Sequence, residues 1–178
     1  MTATNDSASP VVPARVVVVI DDEAGLLPLA RVIVAALPPR SFLALDGDLG
    51  AGKTTFVKAI ATVAGIPPEE VVSPTFGLVH LHPLPPHHPA ERLVHADLYR
   101  LAGSADLFEL GWDEIVSAPG WVAAEWTARI TDALPADRLD VAIGIVSETA
   151  REIAFTARGP RHLPVIAPLA RLPGASTA

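Results

Sequence analysis

The feature that most constrains this chain is a glycine-rich octapeptide that fits the pattern G-x-x-x-x-G-K-[S/T]. Its residues are Gly47-Asp48-Leu49-Gly50-Ala51-Gly52-Lys53-Thr54. The apolar segment 41–46 before it is typical of a strand, and residues 53–64 after it have helical character. Glycines allow the backbone to turn successive N–H groups toward an anion, and the helix that follows aims its N-terminal dipole at the same place. The octapeptide therefore predicts a phosphate-binding loop.

The rest of the sequence alternates strand-like and helix-like segments. The predicted strands are 16–20, 41–46, 76–81, 92–96, 121–125, 139–146 and 151–157, and the predicted helical segments are 23–37, 53–64, 104–110, 112–117 and 127–133. This alternation predicts an α/β fold. We expect a three-layer fold of the P-loop NTPase type, with a mostly parallel central sheet and a C-terminal antiparallel hairpin.

The length of 178 residues is that of one domain with two extensions. We expect a mobile N-terminal tail over residues 1–14 and a P-loop domain over residues 15–157. Residues 158–178 are rich in proline and arginine, and we expect them to form a C-terminal tail. The proline- and histidine-rich segment 82–91 is expected to be an exposed loop, because proline removes the hydrogen-bond donors of a strand.

Composition excludes several classes of protein. The sequence has no cysteine, which excludes disulfide scaffolds, zinc ribbons and thiol nucleophiles. The net charge of −7 argues against a protein that binds nucleic acid mainly through its phosphates. No uncharged apolar run approaches the ~20 residues that span a bilayer, and the N-terminus lacks the pattern of a secretory signal. We therefore expect a cytoplasmic protein that does not bind membranes.

Five residues at the end of the loop or after it are candidates for the chemistry of a site. Lys53 can reach the β- and γ-phosphates of a nucleotide, and the Thr54 hydroxyl can be a ligand of Mg²⁺. Asp97 ends a short strand, as the magnesium-side carboxylate of such folds does, although it could instead cap a helix. Glu125 ends another strand, and its alternative is an acid at the N-terminus of the helical segment 127–133. Trp126 could be a core residue.

The nucleotide predicted from the sequence is ATP. Selection of guanine by GTPases uses an Asn-Lys-x-Asp motif, and the only asparagine of this chain is Asn5. Both lysines, Lys53 and Lys58, lie in or just after the glycine-rich loop. The guanine motif is therefore absent, and ATP is favoured over GTP.

An ordered set of short motifs follows the loop. They are Ser73-Pro74-Thr75, His95-Ala96-Asp97-Leu98-Tyr99-Arg100-Leu101, Phe108-Glu109-Leu110-Gly111, Glu125-Trp126 and Leu134-Pro135-Ala136-Asp137-Arg138-Leu139. Together with the loop, this set resembles the bacterial TsaE (YjeE) family over about residues 16–157. The members of that family are small ATPases required for threonylcarbamoyl modification of the adenosine beside the tRNA anticodon.

The resemblance implies a role for each matching residue. It implies catalytic roles for Lys53, Asp97 and Glu125, and Mg²⁺ binding by Thr54, Asp97 and Glu125. It implies a switch-like segment at Ser73, Pro74 and Thr75. The implied ATP-binding residues are Gly47, Asp48, Leu49, Gly50, Ala51, Gly52, Lys53, Thr54, Thr55, Trp126 and Glu23, with the hairpin tip at 147–149 also near the base.

The resemblance also implies partners. These are TsaD and TsaB, the transferase and its companion, with tRNA reached mainly through them. Two other functions remain open at this point. One is a P-loop kinase that acts on a small molecule, and the other is a nucleotide-binding adaptor without significant hydrolysis.

Overall fold

A computed structural model describes residues 15–74 and 78–177 of the chain. The expected N-terminal tail and Thr75 lie outside these residues. The strands are β1 (Arg15–Ile20), β2 (Ser41–Asp46), β3 (Val79–Pro83), β4 (Arg92–Asp97), β5 (Trp121–Glu125), β6 (Leu139–Ile145), β7 (Arg151–Ala157) and β8 (Ala175–Thr177). The α-helices are α1 (Leu26–Ala36), α2 (Lys53–Val63), α3 (Trp112–Ser117) and α4 (Leu163–Leu169). None of the helices within the described ranges is long and apolar enough to cross a membrane.

The strands form one sheet in the order β3-β4-β5-β2-β6-β7-β1-β8. Parallel pairing is confined to the four central strands β4, β5, β2 and β6. The other four pairings, which involve β3, β7, β1 and β8, are antiparallel. The sheet is therefore mixed, and the expectation of a mostly parallel sheet is not met. The antiparallel neighbours lie on both sides of the parallel core: β3 pairs with β4 on one side, and the hairpin, β1 and β8 follow β6 on the other.

Side chains of the central strands alternate between two hydrophobic clusters, one on each face of the sheet. In β2, Leu43 and Leu45 pack on the face that carries α1, α2 and α4. Phe42 and Ala44 pack on the opposite face with Trp112. The period-two alternation of a strand produces this division, and β2 is buried on both faces because it lies at the centre of the sheet.

The C-terminal antiparallel hairpin is present as predicted. Strands β6 and β7 pair in register from Leu139 opposite Ala157 to Ile145 opposite Arg151. Two other predicted elements differ in kind. The segments Ser104–Leu110 and Thr127–Arg129 are 3₁₀ helices rather than α-helices. The tighter hydrogen-bonding pattern of a 3₁₀ helix is common in short connecting segments.

The segment after residue 157 packs on the domain, which corrects the expectation of a C-terminal tail. Helix α4 buries Val165, Ile166 and Leu169 in the cluster that covers α1 and α2, and β8 pairs with β1. Prolines near the start of a helix do not interrupt its hydrogen bonds, so Pro164 is compatible with α4. A second contact also holds this segment on the domain: Nδ1 of His162 lies 2.7 Å from Oδ1 of Asp137.

The segment 82–91 is also less exposed than expected. Strand β3 continues to Pro83, and both Leu84 and Ala90 are buried. The imidazole of His88 meets the indole of Trp121 edge to face, with ring centroids 4.7 Å apart. This loop therefore covers one end of the core through its apolar and aromatic side chains.

If α4 is part of the folded domain, Ile166→Ala will destabilise the whole protein. Removing a fully buried isoleucine side chain costs about 2–5 kcal/mol. The matched control is Leu163→Ala on the same helix, because Leu163 is 37% exposed and loses little packing. Urea unfolding followed by circular dichroism measures both. Equal unfolding midpoints for the two variants would show that residues 158–177 do not contribute to the fold.

Candidate functional site

Three carboxylates meet at one edge of the sheet because three parallel strands end there. Leu45 of β2 and Asp97 of β4 are both paired with Glu125 of β5. Asp46 is the next residue of β2. Open α/β sheets bind their ligands at the carboxyl ends of parallel strands, and this is the edge at which the glycine-rich loop begins.

The loop has the strand–loop–helix context predicted for it. Gly47 follows β2 with φ of 152°, and a Cβ atom there would lie 2.4 Å from the carbonyl oxygen of Ile143. Gly50 and Gly52 also have positive φ, and open space surrounds the position of a Cβ atom at each of them. The first glycine is therefore required by a close approach to β6, and the later two by the left-handed turn that leads into α2.

Lys53, the first residue of α2, is buried within this loop. Its Nζ donates hydrogen bonds to the carbonyl oxygens of Gly47 and Asp48, at 2.7 and 2.9 Å. The same ammonium lies 3.7 Å from the centroid of the Trp126 ring, which is a cation–π contact. Burial lowers the pKa of Lys53, and the charges of Glu125, Asp46, Asp97 and Asp48 partly oppose that shift. Desolvation thus outweighs four carboxylates in setting the pKa of this amine.

Glu125 is buried and is held by two donors. The Thr54 hydroxyl donates to Oε1 of Glu125 at 2.8 Å, and Nε2 of His95 lies 2.7 Å from the same oxygen. His95 itself has no exposed surface. Helix α2, β4 and β5 are therefore joined at one carboxylate oxygen.

Asp97 is bound on both of its oxygens. Its Oδ1 accepts the backbone N–H of Tyr99 at 3.0 Å, and its Oδ2 accepts the hydroxyl of Ser73 at 3.3 Å. Pro74 is buried beside Ser73, and its carbonyl accepts the N–H of Leu78. The part of the predicted switch segment that the structure describes therefore contacts the Asp97 carboxylate directly.

The turn after β5 is fixed against β2. Trp126 adopts the left-handed conformation with φ of 65°, and its N–H donates to the carbonyl of Leu45 at 2.9 Å. Asp46 accepts the hydroxyl of Thr127 at 2.5 Å and the N–H of Ala128 at 2.9 Å. These bonds hold the indole of Trp126 over Lys53 and 4.9 Å from the ring of Tyr99, measured between centroids. A strained residue that is held this firmly at a site edge is typical of functional positions.

Two cavities adjoin the loop. The first has a volume of about 240 Å³, and its lining includes Leu49, Gly50, Gly52, Lys53, Thr54, Ser73, Asp97, Tyr99, Glu125 and Trp126. The second has a volume of about 350 Å³, and its lining includes Ile20, Asp22, Glu23, Leu26, Thr55, Glu148, Thr149 and Arg151. Arg151 connects the two regions, because its Nε donates to the carbonyl of Ala51 in the loop and its Nη1 donates to carbonyls of the hairpin tip.

The structure thus separates the candidate residues into two groups. Lys53, Thr54, Asp97, Glu125 and Trp126 line the first cavity together with Ser73. Glu23, Thr55 and the hairpin tip line the second. Sequence reasoning did not identify the roles of His95, Asp46 and Arg151. A signal was available for His95, which is a polar residue in the middle of a buried strand.

Known proteins share much of this sequence. The family model described as threonylcarbamoyl adenosine biosynthesis protein TsaE matches residues 20–153. The tRNA threonylcarbamoyladenosine biosynthesis protein TsaE of Bacillus subtilis is 37% identical over 134 residues, which cover 75% of this chain and 80% of that protein. The protein of the same name from Treponema pallidum is 38% identical over 122 residues, 68% of this chain and 86% of that one.

A solved structure has the same fold. The crystal structure of YdiB from Bacillus subtilis superimposes with a TM-score of 0.68 at 30% identity, over 85% of this chain and 90% of that chain. The family match covers most of the chain and includes the loop, the three strand-end carboxylates and most of the hairpin. This chain therefore belongs to the TsaE family.

Proposed function

We propose that this protein binds ATP with Mg²⁺, hydrolyses it slowly, and so supports threonylcarbamoyl modification of the adenosine beside the tRNA anticodon. The observation that carries the proposal is the convergence of Lys53, Thr54, Asp97 and Glu125 around one cavity at the end of the glycine-rich loop. Membership of the TsaE family indicates that the protein acts in the tRNA modification pathway. The cavity supplies a cation, a hydroxyl and two carboxylates, which are the groups that phosphoryl chemistry requires.

The phosphates of ATP fit the loop. Gly50 and Gly52 leave open space above the backbone, and Lys53 places a buried ammonium at the start of α2. The lysine bonds to two loop carbonyls, which a phosphate oxygen replaces as a stronger, charged acceptor. The indole of Trp126 lies against the ammonium in a cation–π contact.

The residues of the first cavity also fit Mg²⁺. Magnesium is usually held by one or two carboxylates together with substrate phosphates and water, and Asp97, Glu125 and the Thr54 hydroxyl are such ligands. Bound Mg²⁺ would neutralise charge on the phosphates during their transfer to water. We assign Asp97 and Thr54 to the metal, and Glu125 to the metal shell and the attacking water.

The adenine base is assigned to the second cavity. Glu23, Thr55 and the hairpin residues Glu148 and Thr149 line this cavity. A carboxylate such as that of Glu23 can accept a hydrogen bond from the amino group of adenine. Arg151 bonds to both the loop and the hairpin tip, so it holds the base cavity and the phosphate loop in a fixed relation.

The hydrolytic role assigned to Glu125 predicts that Glu125→Gln retains ATP binding and loses most hydrolysis. Glutamine keeps an oxygen that accepts from Thr54 and His95, so the packing survives, but it removes the negative charge that orients a water. Loss of such a group typically costs about 10²–10⁴ in rate. Single-turnover hydrolysis in the presence of TsaD and TsaB gives the rate, and calorimetry gives the ATP affinity.

The matched variant is Lys53→Ala, in which ATP affinity itself will fall because the phosphate loses its charged donor. Wild-type hydrolysis by Glu125→Gln would reject the role of Glu125.

Phosphate release by the unmutated protein separates the three candidate functions, which are ATPase, kinase and adaptor. An adaptor releases none, and a kinase transfers phosphate to a second substrate instead of to water.

The proposed partners are TsaD and TsaB, and one surface outside the two site cavities is suited to a protein partner. Phe108 is 92% exposed and borders a cavity of about 430 Å³ together with Leu107 and Trp112. Residues 101–128 contain acids but neither lysine nor arginine. Such a surface repels the phosphates of tRNA and attracts a basic protein surface. We therefore assign tRNA contact mainly to the partners.

Phe108→Ser is expected to weaken binding to the TsaD–TsaB complex while ATP affinity stays at the wild-type value. An exposed aromatic side chain at the centre of an interface typically contributes at least about 2 kcal/mol, roughly thirtyfold in affinity. The control is Leu163→Ser, which changes an exposed apolar residue on α4. Biolayer interferometry with immobilised TsaD–TsaB measures both. Equal affinities for the two variants would show that the partner docks elsewhere.

A further inference from the structure

His95 is an unusual residue for its place in the fold. It lies in the middle of β4, between Val94 and Ala96, and has no exposed surface. The neighbouring residues of this strand are apolar and buried. Burying an imidazole costs free energy that an aliphatic side chain at the same position would not. The histidine therefore calls for an explanation beyond filling the core.

Strand geometry accounts for where the imidazole points. His95 and Asp97 are two residues apart in β4, so they lie on the same face of the sheet. In the neighbouring strand β5, His95 is paired with Ala123 and Asp97 with Glu125. Glu125 is thus the diagonal neighbour of His95, a distance that a long side chain spans. The 2.7 Å contact between Nε2 and Oε1 is the result.

The contact fixes one oxygen of the carboxylate and leaves the other for the site. Oε1 of Glu125 accepts both from His95 and from the Thr54 hydroxyl. The terminal torsion of a glutamate is broad and would otherwise let the two oxygens exchange places. Donors from two different elements, β4 and α2, hold that torsion by fixing Oε1.

The hydrogen bond also defines the proton position on the imidazole. Nδ1 of His95 is buried and has no hydrogen-bond partner among the described residues. A neutral imidazole with its proton on Nε2 donates to Glu125 and leaves only a lone pair at Nδ1. That arrangement avoids a buried N–H group without an acceptor. His95 thus acts as a hydrogen-bond donor to the carboxylate.

We propose that His95 is a positioning residue that fixes the carboxylate of Glu125 for ATP hydrolysis. The inference rests on the proposed function, because it assigns to His95 an effect on the group that orients the water. Partners of this kind, which orient a ligand or base without touching substrate, typically change activity by about 10–100-fold when removed. His95 acts on the hydrolytic step, so ATP affinity is preserved.

Two amide substitutions at His95 test whether hydrolysis requires a hydrogen-bond donor at the position of Nε2. In His95→Gln the amide nitrogen takes approximately the position of Nε2, whereas in His95→Asn the shorter side chain places its nitrogen near Nδ1. Both introduce the same polar group into the same buried position. We expect His95→Gln to keep single-turnover hydrolysis within a few-fold of wild type, and His95→Asn to lose roughly 10–100-fold. Calorimetry should give the same ATP affinity for all three proteins.

Two controls separate positioning from a loss of packing. Val94→Ala removes buried volume from the same strand without touching Glu125, so it lowers the urea midpoint but not the hydrolysis rate. Combining His95→Asn with Glu125→Gln should cost no more than Glu125→Gln alone, because both changes act through one group. Equal hydrolysis rates for the His95→Gln and His95→Asn proteins would overturn the proposal, as would a fully additive loss in the double variant.

The outcomes distinguish this proposal from the proposed function. If the unmutated protein with TsaD and TsaB hydrolyses no ATP, the proposed function fails. If it hydrolyses ATP and Glu125→Gln does not, while His95→Asn is as fast as wild type, only the role of His95 fails. If His95→Asn does not fold, the His95→Gln protein still decides, since a glutamine that reaches Oε1 must retain the rate and a loss of 10-fold or more contradicts the proposal.

Discussion

The burial of the Lys53 ammonium among carboxylates is the interaction on which the rest of the site depends. Three parallel strands bring Asp46, Asp97 and Glu125 to one edge, and without a cation these acids would repel one another. The positive charge of Lys53, at the start of α2, offsets this repulsion. Two loop carbonyls and the face of Trp126 take the place of the water that the buried ammonium has lost. The loop and the strand ends therefore stabilise each other.

The same edge is connected to more distant parts of the fold through backbone carbonyls. Arg151 begins β7 and reaches Ala51 in the loop, so the hairpin that completes the second cavity is bound to the phosphate site. Asp46 and Leu45 hold the turn that carries Trp126. Because these bonds use arginine, carboxylate and main-chain groups, they give fixed directions that apolar packing alone does not provide.

Much of the site could be predicted from the sequence, and the reasons are local. The octapeptide determines its own strand–loop–helix context, and Asp97 and Glu125 each end a segment with a strand pattern. The order of the strands could not be predicted in the same way. Whether β1 pairs with β2 or with the hairpin depends on contacts between distant parts of the sequence, and in the structure β1 pairs with β7. The helix α4 was missed because its prolines obscured a buried face.

His95 illustrates the limit of reading residues one at a time. Its strand was predicted, and its position two residues before Asp97 placed both on one face. The contact with Glu125 depends on the register between β4 and β5, which a single sequence does not contain. A polar residue in a buried central strand has to find a partner across the sheet, and the strand-end acid of the neighbouring strand is the nearest charged acceptor. Buried polar residues beside strand-end carboxylates are therefore the positions at which a site extends beyond its motifs.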